Sequence, residues 1–379
     1  MSAGTSSANP SGNSLAAAYE VGQSLWLDYI QKSLLDGELQ SMIKDDRVMG
    51  LTSNPAIFEQ AIAKTNEYDS DITRIVNAQA DVSQLELFNQ LAIPDIQAAA
   101  DAFASTYEET DGVDGMVSFE VTPDLAHDAA GTIAMGVELH KRVDRPNLMI
   151  KVPGTKEGVK AFEALTALGI NVNVTLLFSI SRYREIAQAY IRGLERRHAD
   201  GHSIARIASV ASFFVSRVDV SVDKALETMG GDAAEGLKGK IAIANAKVAY
   251  GHFVNLFGSE QFAKLKAQGA RPQRLLWAST GVKNPDYSDV LYVEELIGPD
   301  TVNTLPPKTM AAFKDHGVAE SRLTQHLDQA HKDISALGEL GISLSDITDE
   351  LEADGIQSFV EAFDRLLAVL ADKRSTVTS

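Results

Sequence analysis

The segment NLMIKVPGTKEG, residues 147–158, sets a lysine at the end of an apolar run and just before a Pro-Gly pair. The apolar residues read as a strand, Pro153-Gly154 ends it, and a helix-period segment follows. The same strand-then-helix succession recurs along the chain. Its other strand candidates are SLWLDYI (24–30), VMGLTSN (48–54), GMVSFEV (115–121), NVNVTLLFS (171–179), IASVASFF (207–214), RLLWAST (274–280) and TVNTLP (301–306). Amphipathic helices lie between and after them. One presents Tyr183, Ile186, Ala187, Tyr190, Ile191 and Leu194 on one stripe, and another Phe359, Val360, Phe363, Leu366, Leu367 and Leu370.

Near-continuous apolar strands alternating with helices predict a parallel sheet covered by helices. About eight such units predict closure into an α/β (β/α)8 barrel, with a doubly wound open sheet as the alternative. The interval 55–114 is too long for one crossover; its stretch QLELFNQLAIPDIQAAADAFASTYEE reads as one or two extra helices broken near Pro94. The chain after Lys308 also reads as helical. Residues 1–14 read as a flexible polar tail and 15–379 as one barrel domain with its C-terminal helices.

Composition narrows the function. With 379 residues, 45% of them hydrophobic, the chain can bury a large core. Its formal charge of -18, from 34 Lys and Arg against 52 Asp and Glu, argues against sequence-independent binding to nucleic acid or an anionic membrane. There is no cysteine, which removes disulfides, thiolate metal sites and cysteine nucleophiles and fits a cytoplasmic protein. No apolar run approaches the roughly 20 residues of a membrane helix, and the first residues lack the features of a secretory signal.

In a parallel barrel, chemistry gathers at the C-terminal ends of the strands. Strand one ends there in Asp28, two in Asn54, three in Glu120 and four in Lys151, five carries Asn173 and Thr175, and six ends in Ser212. Singly, each has a plainer reading. Asp28 can cap a helix, Asn54 can hold the turn before Pro55, and Lys151 can pair with a carboxylate. Together, one cation and two carboxylates buried at one mouth would be costly without function. A lysine in such a place, deprotonated, attacks a carbonyl to form a Schiff base, an electron sink for C–C cleavage. Glu120 and Asp28 supply the proton transfers this needs.

These segments, with VSFEV, NLMIKVPGT, NVTLLFS, SFFVSRVD and LWASTGVKNPDYSD in that order, resemble the transaldolases, class I Schiff-base enzymes of the pentose phosphate pathway, in their longer bacterial form. The resemblance runs from about Ser24 to Lys308. It implies that Lys151 is the Schiff-base residue, that Glu120 acts through a water held by Thr175, and that Asp28 takes the C4 hydroxyl proton. It places Asn54, Asn173 and Ser212 on the dihydroxyacetone portion and Arg217 on the phosphate. Ser279 and Lys283 of ASTGVKNP are further phosphate candidates; shorter members carry Ser followed closely by Arg here, so the second cation would be Lys283 or come from elsewhere. The implied reaction moves a three-carbon unit from sedoheptulose 7-phosphate to glyceraldehyde 3-phosphate. No metal or organic cofactor is implied. The partners expected are sugar phosphates, with the chain a monomer or homodimer.

A Schiff-base aldolase that releases its product, as fructose 6-phosphate aldolase does, and a non-catalytic sugar-phosphate-binding barrel remain alternatives. Four other signals carry less. HADGH (198–202) precedes strand six, away from the catalytic face. His326 and His331 lie in a polar helix without sharing a face. The sequon at Asn173 sits inside an apolar strand. MGGDAAEGLKGK (229–240) reads as a mobile loop between helices.

Overall fold

A computed structural model describes residues 13–378. Eight strands close into a parallel barrel in chain order: β1 Gln23–Asp28, β2 Gly50–Thr52, β3 Met116–Glu120, β4 Leu148–Pro153, β5 Val172–Leu177, β6 Ser209–Phe214, β7 Arg274–Ala278 and β8 Thr301–Leu305. Each begins and ends within about three residues of the sequence expectation. Closure is made by β8 lying beside β1, with Gln23 opposite Thr301 and Leu27 opposite Leu305. The strands are buried nearly throughout, as a sheet covered on its outer face and filled on its inner one requires.

The end of the barrel remote from the site is tied by a buried polar cluster. Asp114, just before β3, accepts from Ser24 at 2.7 Å and from the Trp26 indole at 3.3 Å, and pairs with Arg274 of β7 at 2.8 Å. The short β2 begins with glycine for a steric reason: a Cβ on Gly50 would stand 2.7 Å from the Trp26 ring and 2.8 Å from the Met116 carbonyl oxygen.

The insertion between β2 and β3 is helical. Pro94, however, does not break it, because one helix runs from Gln84 to Ala102. Proline removes one ladder bond there, but Pro94 is exposed while Leu87, Phe88, Leu91, Ile96 and Ala99 are buried, so tertiary packing outweighs the local penalty. Ser14 opens a helix, Ser14–Glu20, capped by the Asn13 side chain, and so is structured; the rest of the expected tail, 1–12, lies outside the described residues. The segment 229–240 contains a short helix, Asp232–Glu235, and is anchored where Gly239 N–H donates to Asp223. His326 sits in left-handed backbone just before the helix Leu327–Glu339 rather than within it.

The C-terminal helix Leu344–Thr378 packs against the inserted helices, against the helix Ser216–Met229 and against β5. Its apolar stripe buries Phe359, Phe363, Leu366 and Leu370. This lays it over the strand ends that carry the polar residues. Among the described residues, no helix is long and apolar enough to cross a membrane.

Candidate active site

Strand register brings the candidate residues together. Lys151 of β4 lies opposite Glu120 of β3 on one side and Asn173 of β5 on the other, and Asp28 of β1 lies opposite Thr52 of β2. Neighbouring strands are about 4.8 Å apart, so these side chains share the barrel's inner surface. Lys151 Nζ stands 3.0 Å from Glu120 Oε2 and donates to the Ser53 carbonyl at 3.1 Å; both side chains of the ion pair are almost fully buried, 6% and 7% exposed. The Phe359 ring of the C-terminal helix lies 5.7 Å from the same Nζ. The partner that the structure sets against Lys151 is thus a carboxylate, able to exchange a proton with it directly.

Both acids are held as reluctant anions. Burial pushes the Glu120 carboxyl above its ordinary range, and the neighbouring Asp28 adds to this, while the Lys151 pair opposes it. Asp28 is also raised, chiefly by burial, against the pull of Lys151 and of the Thr52 hydroxyl, which donates to it at 2.8 Å. A carboxyl whose pKa rises on folding binds more protons in the native state. The stability it contributes is full below its ordinary 3.8 and is lost as pH rises through the folded value. Asp28→Asn is therefore expected to raise the melting temperature by ~2 °C or more at pH 7, with the gain shrinking towards pH 4. A melting curve at each pH checks this; equal shifts at both would contradict it.

Above the ion pair opens a cavity of about 530 Å³, and Asp28, Asn54, Lys151, Thr175, Ser212, Arg217, Ser279 and Lys283 all contribute to its lining. Asn54 fulfils its plainer role as well: its Oδ1 caps the helix Pro55–Phe58 by accepting from Ile57 N–H at 3.0 Å, which leaves the amide nitrogen to donate. Thr175 Oγ1 is buried with no protein partner. The β5–β6 register slips between Val174 and Leu177, where Leu176 takes φ +60, a bulge next to the site. Arg217 stands at the start of the helix Ser216–Met229, its guanidinium 5.3 Å from the Phe214 ring and forming no salt bridge among the described residues. Burial lowers its pKa, yet a guanidinium stays charged at neutral pH. Ser279, at φ +56, faces Ser216 with 3.0 Å between hydroxyls.

Two candidates stand apart from the cavity lining. Glu120 reaches the site through its contact with Lys151. Asn173 is fully buried beneath it, donating to Ser118 at 3.1 Å and accepting from Ser212 at 2.6 Å, so it orients Ser212. Its burial leaves no room for a glycan. Sequence reasoning missed Thr52, Ser53 and Phe359. Thr52 was findable, since it lies two residues before Asn54 and so on the same face of β2. Phe359 was not, because its stripe looks like any core-facing helix.

The family model described as transaldolase/fructose-6-phosphate aldolase matches residues 25–370. The chain belongs to this family. It is 49% identical over 349 residues to the transaldolase of Thiobacillus denitrificans, covering 92% of this chain and 97% of that protein. It is 46% identical to the transaldolases of Mycolicibacterium smegmatis and Mycobacterium tuberculosis, covering 93% of this chain and 95% of theirs in each case. As a member of the transaldolase/fructose-6-phosphate aldolase family, the chain is an enzyme.

Proposed function

We propose that the protein transfers a dihydroxyacetone unit from sedoheptulose 7-phosphate to glyceraldehyde 3-phosphate, giving erythrose 4-phosphate and fructose 6-phosphate, through a Schiff base on Lys151. The observation that carries this is the buried Lys151–Glu120 contact at 3.0 Å on the floor of a cavity that also holds Asp28 and Arg217.

The steps follow from the groups present. Lys151 passes a proton to Glu120, whose raised affinity for protons makes the transfer easy, and the free amine attacks C2 of the ketose. Glu120 then protonates the carbinolamine hydroxyl, which leaves as water, through a water molecule that the unpartnered Thr175 hydroxyl is suited to hold. Asp28 takes the C4 hydroxyl proton, the C3–C4 bond breaks, and its electron pair moves into the iminium to give an enamine as the aldose leaves. The enamine adds to the acceptor aldehyde, and hydrolysis frees Lys151. The lysine is itself the electron sink, so the sequence asks for no cofactor. Of the residues that line the cavity, Asn54 and Ser212 would hydrogen-bond the three-carbon unit, and Arg217, with Ser279 and Lys283, the phosphate.

The feature that supports transfer over release is the C-terminal helix, whose Phe359 ring, 5.7 Å from the lysine Nζ, would shield an intermediate on Lys151 from water. The assay compares erythrose 4-phosphate-dependent consumption of fructose 6-phosphate with free dihydroxyacetone formed without acceptor. Rapid release without acceptor would replace this reading with the aldolase one. Arg217→Ala is expected to raise KM for fructose 6-phosphate by about 10- to 100-fold, the scale of a lost charged hydrogen bond, with kcat much less affected. An unchanged KM would remove Arg217 from the phosphate site.

A further inference from the structure

Two acids on the helix Ser216–Met229 do work that the steps above leave unexplained. Asp219 is fully buried and Asp223 nearly so. All four of their carboxylate oxygens are engaged. Asp219 accepts from Ala242 N–H at 2.7 Å and from the Tyr292 hydroxyl at 2.9 Å; Asp223 accepts from Gly239 N–H at 3.1 Å and from the Tyr287 hydroxyl at 2.7 Å. Each acid thus joins the segment entering the helix Ile241–Phe257 to a tyrosine in the chain that follows β7.

That chain carries Ser279 and Lys283. Just after Lys283 the backbone makes a tight turn from Asn284 to Tyr287: Tyr287 N–H donates to Asn284 O at 3.2 Å, and Asp286 N–H to Asn284 Oδ1 at 3.0 Å. The Tyr287 anchor thus stands one turn along the chain from Lys283. The ring is confined from the other side by Gly239, at φ +68, where a Cβ would lie 2.9 Å from the ring's Cζ. Lys283 lines both the active cavity and a smaller one of about 240 Å³ bounded by Asp219, Asp223 and the two tyrosines. Arg217 stands at the start of the helix that bears both acids.

We infer that Asp223 and Tyr287 are positioning residues for phosphate: their hydrogen bond ties the Lys283 loop to the helix that carries Arg217, and so fixes the spacing between the two cations that a phosphate would bridge. This rests on the phosphate site of the proposed function. A planar guanidinium and a point-charge ammonium on separate elements grip one phosphate only if those elements keep their distance, which the partly buried, charge-assisted hydrogen bond between Tyr287 and Asp223 enforces.

The test uses the full chain at pH 8, where Asp219, pushed up to about 7 by burial, is mostly ionised. Tyr287→Phe is expected to raise KM for fructose 6-phosphate and the Kd for inorganic phosphate each by about fivefold, with kcat within about twofold and melting monitored in parallel. Asp223→Asn, whose amide can accept from Gly239 and donate to Tyr287, is expected to keep wild-type KM. Should Tyr287→Phe fail to fold, Asp223→Ala takes its place with the same expected readout. Phosphate affinity and KM unchanged in the variant, or a fall in kcat alone, would overturn the strut. A wild-type protein that neither turns over fructose 6-phosphate nor binds inorganic phosphate would overturn the proposed function and this inference together.

Discussion

Lys151→Met is expected to leave a protein that folds, binds inorganic phosphate and fails to be labelled when incubated with fructose 6-phosphate and borohydride. Turnover is expected to fall on the order of 10⁴-fold or more, because the residue is the nucleophile and the other lysine lining the cavity, Lys283, is assigned to the phosphate. Methionine fills much the same volume, so the loss is chemical rather than structural. A reduced adduct still formed by the variant, found by peptide mass on another lysine, would end the assignment of Lys151. Normal phosphate affinity in the same sample separates chemistry from a damaged site.

The two carboxylates are expected to fail differently. Glu120→Gln removes the group in contact with the lysine, so formation of the trapped adduct slows by about 10²- to 10⁴-fold, the usual contribution of a positioned acid or base. Asp28→Asn leaves that contact intact and removes the acceptor for the C4 hydroxyl proton. Its turnover falls by a similar factor, while adduct builds up to near one per chain. Rapid-quench trapping over time distinguishes the two, and equal loss of adduct in both would contradict the division. The raised pKa of each carboxyl has the same origin, burial, but different uses: a protonated Glu120 donates to the leaving hydroxyl, whereas Asp28 must be ionised to accept.

The barrel was legible because its strands are buried on both faces and so read as unbroken apolar runs; each polar interruption then marked a strand end or an inward-facing position. Register was not legible. That Lys151 faces Glu120 across one rung depends on how β3 slides against β4, which neither strand specifies by itself. Asn173 and Ser212 read as equals in sequence, but the structure puts the first beneath the second, since strand alternation gives the face and not the depth. Pro94 misled because a local rule was applied where packing of the inserted helix decides the outcome. Phe359 escaped because an apolar stripe looks the same over a core as over a catalytic cavity.

The helix that lies over the cavity follows all eight strands in the chain. All eight strands, and every polar group on the floor, precede Leu344 in sequence, so the barrel can close around Lys151 before anything roofs it. The catalytic floor and the helix that lies over it are thus encoded in separate stretches of chain.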